Sequence, residues 1–365
     1  MPLIVGGGPA GAAAAIGLAQ GGLRPVIVER TSSPSDMLCG GFLSWNSVHL
    51  LRQCGVDPFA LGGHVVDRAR LFTRRRMVEL ALPGPSAGLS RKSLDKALLD
   101  RAAWAGADIR RGVAVRAIED GTVRYADGTS DTPTHLILAT GKHDVRGATR
   151  PMDSKDPAIG LRWRFRADGS LTKALGGAIE LHLFRQGYAG LVLQEEGFAN
   201  LCLAVRQSAF IDAGRRPNAM LAALLAQTPA LAERLTAVVL NEAQAIAHIP
   251  YGWRARSDDR HLYRVGDQVG VIPSLAGEGV GIALATGMAA AAAILAGVAP
   301  QAYQSHCTKL IASPIGIAVG LWSLAERPYL ASTALPLLAR LPGMAALAMQ
   351  ATRVNGDELL KVADS

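Results

Sequence analysis

Cysteine and aromatic residues are scarce in this chain of 365 residues: four Cys, and 5% Phe, Trp and Tyr together. Cys39, Cys54, Cys202 and Cys307 form no Cys-x-x-Cys pair, which argues against a zinc knuckle or a thioredoxin-type centre. Such sparse use fits a reducing, cytoplasmic setting. The net charge is +8, yet no aromatic platform is interleaved with the basic residues and no helix reads as basic, so nucleic acid is not the expected partner. Lys and Arg are spread out, with one cluster at Arg74, Arg75 and Arg76. That surplus reads first as a solvated face; an anionic lipid or an anionic cofactor is the alternative. No Ser/His/Asp constellation, clustered carboxylate pair or metal-ligand set stands out. Internal repeats and low-complexity tails are absent too. Strand-like residues begin at once, which leaves no room for a signal peptide.

Charge is missing altogether from Gly279 to Thr308. By length this stretch could span a membrane. It is built from Ala and Gly instead of Leu, Ile and Phe, however, so a buried core helix is the better expectation.

What is present is an apolar half, 49% of the residues, enough for a globular protein of about two domains. The stretch "PLIVGGGPAGAAAAIGLAQGGLRPVIVER" (2–30) reads as a strand at Leu3–Val5, a helix at Gly11–Gln20 and a second buried strand at Pro25–Glu29. Gly6, Gly8 and Gly11 form Gly-x-Gly-x-x-Gly. The first glycine permits the tight turn, the second lets a pyrophosphate approach the backbone, and the third lets helix and sheet pack closely. The helix N-terminus offers free N–H groups to phosphate. Glu29 closes the second strand where a ribose-binding carboxylate belongs. This fingerprint leaves NAD and FAD equally open.

Further along, 90–107 has helical spacing, 107–120 reads as strands, and "THLILATG" (134–141) is a buried strand ending at a glycine. From about 158, "LRWRFR", "AIELHLFR", "YAGLVLQ" and "NLCLAV" suggest an antiparallel sheet with one face buried and one available. After Tyr251 the pattern returns to strand, glycine loop and helix. The last sixty or so residues read as Leu/Ala-rich helices interrupted by Pro314, Pro328, Pro336 and Pro342. The expected class is α/β: a Rossmann-like nucleotide domain with an inserted, mainly antiparallel β substrate domain and C-terminal helices. The expected boundaries are 1–60, 90–150 and 256–300 for the nucleotide domain, 61–89 and 151–255 for the substrate domain, and 301–365 for the helical region.

The choice of dinucleotide turns on "YRVGDQVGVIPSLAGEGVGIALATGMAAAAAIL" (263–295). This resembles the second flavin motif of the geranylgeranyl reductase and p-hydroxybenzoate hydroxylase superfamily, whose FAD-binding domain is of the glutathione reductase type. The resemblance implies that Asp267 holds the ribityl or phosphate portion of FAD. It also implies that Pro273, Gly277, Gly279 and Gly281 bring a helix N-terminus to the flavin edge, with Val280 beside it. By the same resemblance, Arg91 of "SRKSLDKALLDRA" contacts FAD, the backbone at Val115 meets the adenine, and Gly141 of "ATG" closes the strand. Arg30 joins Glu29 in the same set. "MLCGGFLS" (37–44) is similar to the loop that passes the isoalloxazine ring, which places Cys39 and Gly40 there.

The chain departs from the family at Gly190, Val192 and Leu193, where the reductase branch has Trp, Phe and Pro, and this implies a reshaped substrate cavity. The Asp-Gly pair of the hydroxylase branch is absent from "ATGKHDVRG" (139–147), so NAD(P)H is expected at most as a transient electron donor. The halogenase Trp-x-Trp-x-Ile-Pro motif is absent as well.

The flavin performs the two-electron step, and protein groups position the substrate. Cys39 is a proton donor or substrate contact, or else a small buried hydrophobe. Tyr188 donates a hydrogen bond into the cavity, or else packs on a strand face. His143 reads as a surface histidine before a cofactor-side one. Trp45 and Trp163 are pocket walls or core. Arg162, Arg164 and Arg166 alternate on one strand and are expected on a solvated face. The function expected is an FAD-dependent oxidoreductase acting on a lipophilic or aromatic small molecule, with reduction or dehydrogenation ahead of oxygen insertion by a monooxygenase. A flavin reductase or another electron donor is a candidate partner, and peripheral membrane contact by the C-terminus is a further expectation. A flavin-free binding protein resembling the GDP-dissociation inhibitors is the reading from another class.

Overall fold

The computed structural model describes residues 1–364 apart from 75, 152–153, 237, 241 and 257–259; Arg75 of the basic cluster thus lies outside the described residues. Five short strands form a wholly parallel sheet in the order Leu262–Arg264, His135–Leu138, Pro2–Val5, Val26–Glu29, Asp108–Arg111. Its central strands are apolar except for His135 and Glu29 at strand ends, because both faces are covered. Ile4, Ile27 and Ile137 point to one side, into a core shared with helices Pro9–Gln20, Arg91–Ala105 and Gly279–Leu295. Leu3, Val5, Val26 and Val28 point to the other, against Ile118, Val123 and Tyr125 of a small three-stranded sheet.

The charge-free stretch is a buried helix, Gly279–Leu295, followed by a break at Gly297, whose φ is +71°. Its Ala and Gly content has a packing reason. A Cβ on Gly17 of the first helix would sit 2.7 Å from Ala291, and one on Gly287 would strike the Ala10 carbonyl. The two helices therefore approach almost backbone to backbone. The described helix long and apolar enough to cross a membrane is the next one, Pro300–Ala325.

The second sheet has eight strands: Gln244–Ile249, Ala158–Arg166, Phe198–Arg206, Gly187–Leu193, Ala178–Phe184, His64–Phe72, Met77–Gly88 and Phe42–Leu43, in that order. It is mixed, not uniformly antiparallel, because Ala178–Phe184 and His64–Phe72 run parallel; a long excursion through the first sheet separates them in sequence. One face buries Trp163, Phe165, Leu191, Leu201 and Leu203 against Met220, Leu221 and Leu224 of helix Pro217–Gln227. The other face looks towards the first sheet.

Helices Pro300–Ala325, Pro328–Arg340, Pro342–Ala351 and Gly356–Leu360 complete the chain. Pro328 and Pro342 begin helices, whereas Pro314 and Pro336 lie inside them. Pro314 is buried beside Ile311 and Ile315, so packing of that face outweighs the hydrogen bond that proline forfeits.

Candidate cofactor and substrate site

A single cavity of about 820 Å³ runs between the two sheets. Gly6, Gly8, Glu29, Arg30, Cys39, Gly40, Arg91, Val115, Gly141, Tyr188, Asp267, Gly277, Gly279 and Val280 all line it, so residues from nearly the whole length of the chain meet in one place. Gly11 does not line it and lies beneath the turn, where a Cβ would collide with the Gly6 carbonyl oxygen. Gly6 takes a φ of +110° against Ala139. Gly8 differs: its φ is −75°, and a Cβ there would meet only the Arg91 guanidinium, 3.4 Å away, on the cavity side.

Two helices open onto this cavity. Pro9–Gln20 starts at Gly8 and Gly279–Leu295 starts at Glu278, and neither start is capped by a side-chain hydrogen bond. Their free N–H groups and partial positive charge face the same space, an arrangement suited to anionic groups. Beside the first start, the Glu29 carboxylate accepts from the Gly7 N–H at 2.8 Å and from the Thr31 N–H and hydroxyl at 2.9 Å. Burial pushes its pKa up, but these donors outweigh burial and hold it below the ordinary carboxylate value. Glu29 is therefore ionised and fixed in position. Arg91 makes a bidentate pair with Asp95, both contacts at 2.7 Å, and reaches the cavity from the helix below. Arg30 lies 2.7 Å from His143 Nε2. Burial, then the charges of Arg30, Arg150 and Lys142, keep the His143 pKa low. His143 is half-buried and lines the cavity while keeping part of its surface in solvent. The Asp267 main-chain carbonyl accepts from Arg150 at 3.0 Å, and its carboxylate feels the Arg91 charge but makes no hydrogen bond or close ion pair among the described residues. A glycine cradle, two uncapped helix starts, a ribose-side carboxylate and a free carboxylate between them fit a dinucleotide such as FAD.

Several sequence expectations need correction here. Arg162 is not on a solvated face; its side chain is 3% exposed. It binds the Asp36 carboxylate, donates to the Asp36 carbonyl at 2.9 Å and to Asn200 Oδ1 at 2.6 Å, and so clamps the loop before Cys39. Arg164 is partly buried beside Glu195, at 3.1 Å; only Arg166 is exposed. The alternation of three arginines was visible, but the acidic loop that covers Arg162 comes from 126 residues earlier in the chain. Trp45 and Trp163 are not cavity walls: Trp163 is fully buried in the core behind the sheet, and Trp45 stacks under the Arg353 guanidinium at 4.5 Å. Of the family departures, Gly190 faces the cavity, while Val192 and Leu193 are buried away from it.

Three groups were missed from sequence. Asn200, fully buried, donates to the carbonyls of Cys39 (3.2 Å) and Gly40 (2.8 Å), fixing the loop from the sheet side. Tyr251 and Ser274 join Tyr188 in the apolar half of the cavity: Tyr188 donates to Ser274 Oγ at 2.7 Å, and the Tyr251 hydroxyl lies 2.6 Å from the same oxygen. Around them stand Leu71, Leu80, Leu181 and Leu183 from the sheet and Ala325 and Ala331 from the C-terminal helices. A lone Ser in a Pro-Ser-Leu-Ala loop carries no sequence signal of its own; only the fold brings the tyrosines to it.

Residues 2–142 match the family described as FAD binding domain. This part of the chain is an FAD-binding domain, FAD is the dinucleotide, and the protein is a flavoprotein. Over 173 residues it is 31% identical to menaquinone reductase of Mycobacterium tuberculosis, covering 44% of this chain and 40% of that one. Over 124 residues it is 33% identical to the chloroplastic geranylgeranyl diphosphate reductase of Nicotiana tabacum, covering 31% and 24%. The matched part thus spans less than half the length of these relatives. The fold as a whole is that of the solved flavin-dependent brominase Bmp2, with a TM-score of 0.73 at 17% identity over 96% of this chain and 98% of that one. The resemblance read from the motifs and the Rossmann-like FAD-binding architecture are both borne out.

Proposed function

We propose that this protein is an FAD-dependent oxidoreductase acting on a lipophilic or aromatic small molecule, with reduction or dehydrogenation preferred over oxygen insertion. The observation that carries the reading is the continuity of one cavity. Its first half offers two uncapped helix starts and Glu29; its second half is walled by leucine and alanine. FAD, once bound, supplies a two-electron carrier. The chain supplies the rest. Gly8 gives the pyrophosphate backbone room, and Asp267 offers its free carboxylate to hydroxyl groups. Asn200 and Arg162 hold the Cys39–Gly40 loop, and the apolar sheet face excludes water from the substrate side. Cys39 and Tyr188, which both line the cavity, are the side chains proposed to touch substrate. Two relatives are named as reductases, of menaquinone and of geranylgeranyl diphosphate, and a greasy substrate suits the second half of this cavity equally well. Electrons then come from NAD(P)H visiting transiently or from a separate flavin reductase. A flavin-free binding role is set aside because residues 2–142 match an FAD-binding family.

A lipophilic substrate has to be collected from lipid. We infer that the C-terminal helices rest on the cytoplasmic face of a membrane. Their inward side, including Ala331, Ala345 and Ala348, lines the cavity, while Tyr329, Leu330, Met344 and Leu347 are exposed. The four cysteines are unpaired, which suits that compartment.

The test is an anaerobic one. Chemically reduced protein is mixed with a panel of lipophilic enones and alkenes under argon, and then under labelled oxygen with aromatic substrates. Reoxidation of the flavin by substrate under argon supports the reductase reading. Product that forms only in air and carries the labelled oxygen replaces it with the monooxygenase.

A further inference from the structure

The apolar half of the cavity contains three hydroxyl groups and two hydrogen bonds. Tyr188 Oη and Tyr251 Oη lie 2.7 and 2.6 Å from Ser274 Oγ. Each hydroxyl carries one proton and two lone pairs. Two contacts consume two of the three protons, whichever way each bond points, so one O–H is always left over. No described residue accepts it. All three residues line the cavity, and Ser274 is exposed there. The cluster therefore presents one unused donor to whatever occupies this space.

The surroundings fix what kind of acceptor that donor can serve. Tyr188 and Tyr251 stand edge-on to Trp322, at 5.7 and 5.4 Å between ring centres, within a cluster of Leu71, Leu80, Leu183 and Leu275. Burial, the largest influence on both tyrosines, pushes their pKa values up, so both remain protonated donors at neutral pH. The ionisable groups that bear most on them are Tyr251 and Cys39 on Tyr188, Asp267 on Tyr251, and Cys202 on both, with no cation among these. Arg206, over the Trp322 ring, is already paired with Glu326. An anionic head group here would be buried without a counter-charge, which is strongly unfavourable. A neutral oxygen would gain a hydrogen bond and leave its carbon skeleton against leucine.

We propose that Tyr188, Ser274 and Tyr251 form an oxygen-binding subsite that takes the uncharged carbonyl or hydroxyl oxygen of a lipophilic ligand, and that discriminates against carboxylates and phosphates. This names the substrate class within the proposed function and rests on that reading for the identity of the cavity as a substrate site. Tyr251 and Ser274 thereby become specificity-determining residues alongside Tyr188.

The experiment uses the full chain loaded with FAD and a neutral fluorescent probe, Nile red, displaced by three ligands of matched length. These are 2-decanone, 2-methyl-1-decene (CH2 in place of the oxygen) and decanoate. Affinities are compared between the wild type and Tyr188→Phe/Ser274→Ala/Tyr251→Phe, which removes only the three hydroxyls. The ketone is expected to lose about tenfold more affinity than the alkene on substitution, the scale of one neutral hydrogen bond. Decanoate is expected to bind the wild type more weakly than the ketone. Equal losses for ketone and alkene would overturn the proposal and leave the cluster as a tie between strand and loops; so would preferential binding of decanoate. If the triple variant does not fold, Ser274→Ala alone is read in the same way. Flavin absorbance in the same samples separates the two levels. A colourless wild type counts against the proposed function, whereas the ketone–alkene difference speaks only to the subsite.

Discussion

The Arg353 guanidinium lies 2.7 Å from the Glu278 carboxylate, and their side chains are 7% and 0% exposed. Glu278 also accepts from Ser44 Oγ at 2.8 Å and from the Val354 N–H. A buried carboxylate at the start of the Gly279–Leu295 helix thus anchors the end of the C-terminal helices to the cofactor side of the cavity. Removing one partner of a buried pair strands the other charge. Arg353→Met is therefore expected to lower stability by about 3 kcal/mol, read as a shift in the urea midpoint. Glu278→Gln added to it should recover part of the loss. If the single variant costs nothing, the pair is not the anchor.

Gly8 and Gly11 belong to one motif but should fail in different ways. A methyl group at Gly8 clashes with nothing in the protein, because its nearest neighbour, Arg91, is 3.4 Å away. Gly8→Ala should fold normally yet bind FAD at least about tenfold more weakly, since it intrudes where the pyrophosphate meets the backbone. A methyl group at Gly11 runs into the Gly6 carbonyl, so Gly11→Ala should lose stability before FAD is added. Flavin titration and thermal melts of the two variants, side by side, separate the roles. Identical behaviour would show that the glycines are not divided between ligand and packing.

The contrast between these glycines marks how far the sequence could be read. The first βαβ unit follows from local spacing: Leu3–Val5 and Val26–Glu29 are apolar runs, and Gly6 must turn between strand and helix. The charge-free helix was legible as core because Ala and Gly permit close packing. What escaped is non-local. Arg162 looked solvated because nothing in its own strand reveals that Asp36 will cover it. Trp163 reads as pocket wall or core alike, because alternation gives two faces without saying which one meets the cavity. Ser274 became noticeable only when Tyr188 and Tyr251 arrived from elsewhere in the chain.

Glu29 makes a pH prediction whose sign can be worked out. Its folded pKa lies below the ordinary value of 4.5, because the N–H groups of Thr31 and Gly7 overcome the effect of burial. A depressed carboxylate contributes stability that is fully present above its unfolded pKa and is lost as pH falls through its folded one. The difference in urea midpoint between the wild type and Glu29→Gln should therefore be constant from neutral pH down to about 5. Below that it should shrink and vanish once both forms are uncharged. A difference that grows on acidification would mean that Glu29 is not held as the anion.

The C-terminal helices carry the membrane prediction. Tyr329 is 88% and Leu347 68% exposed, with Leu330 and Met344 at 51% and 56%. These four apolar side chains are half or more exposed among the described residues, and Lys309, Arg327 and Arg340 lie along the same segment. An interfacial segment of this kind gains affinity from buried apolar area and from attraction to anionic lipid, about 1 kcal/mol per cation near the surface. The wild type should therefore float with vesicles containing phosphatidylglycerol and do so less in high salt. Leu330→Ser/Met344→Ser/Leu347→Ser should remain soluble and FAD-loaded but stay at the bottom of the gradient. None of these positions belongs to the buried core clusters, so the fold should survive the substitutions. If the triple variant floats as well as the wild type, or if the wild type dimerises through this face and ignores lipid, these helices are not the membrane-facing surface.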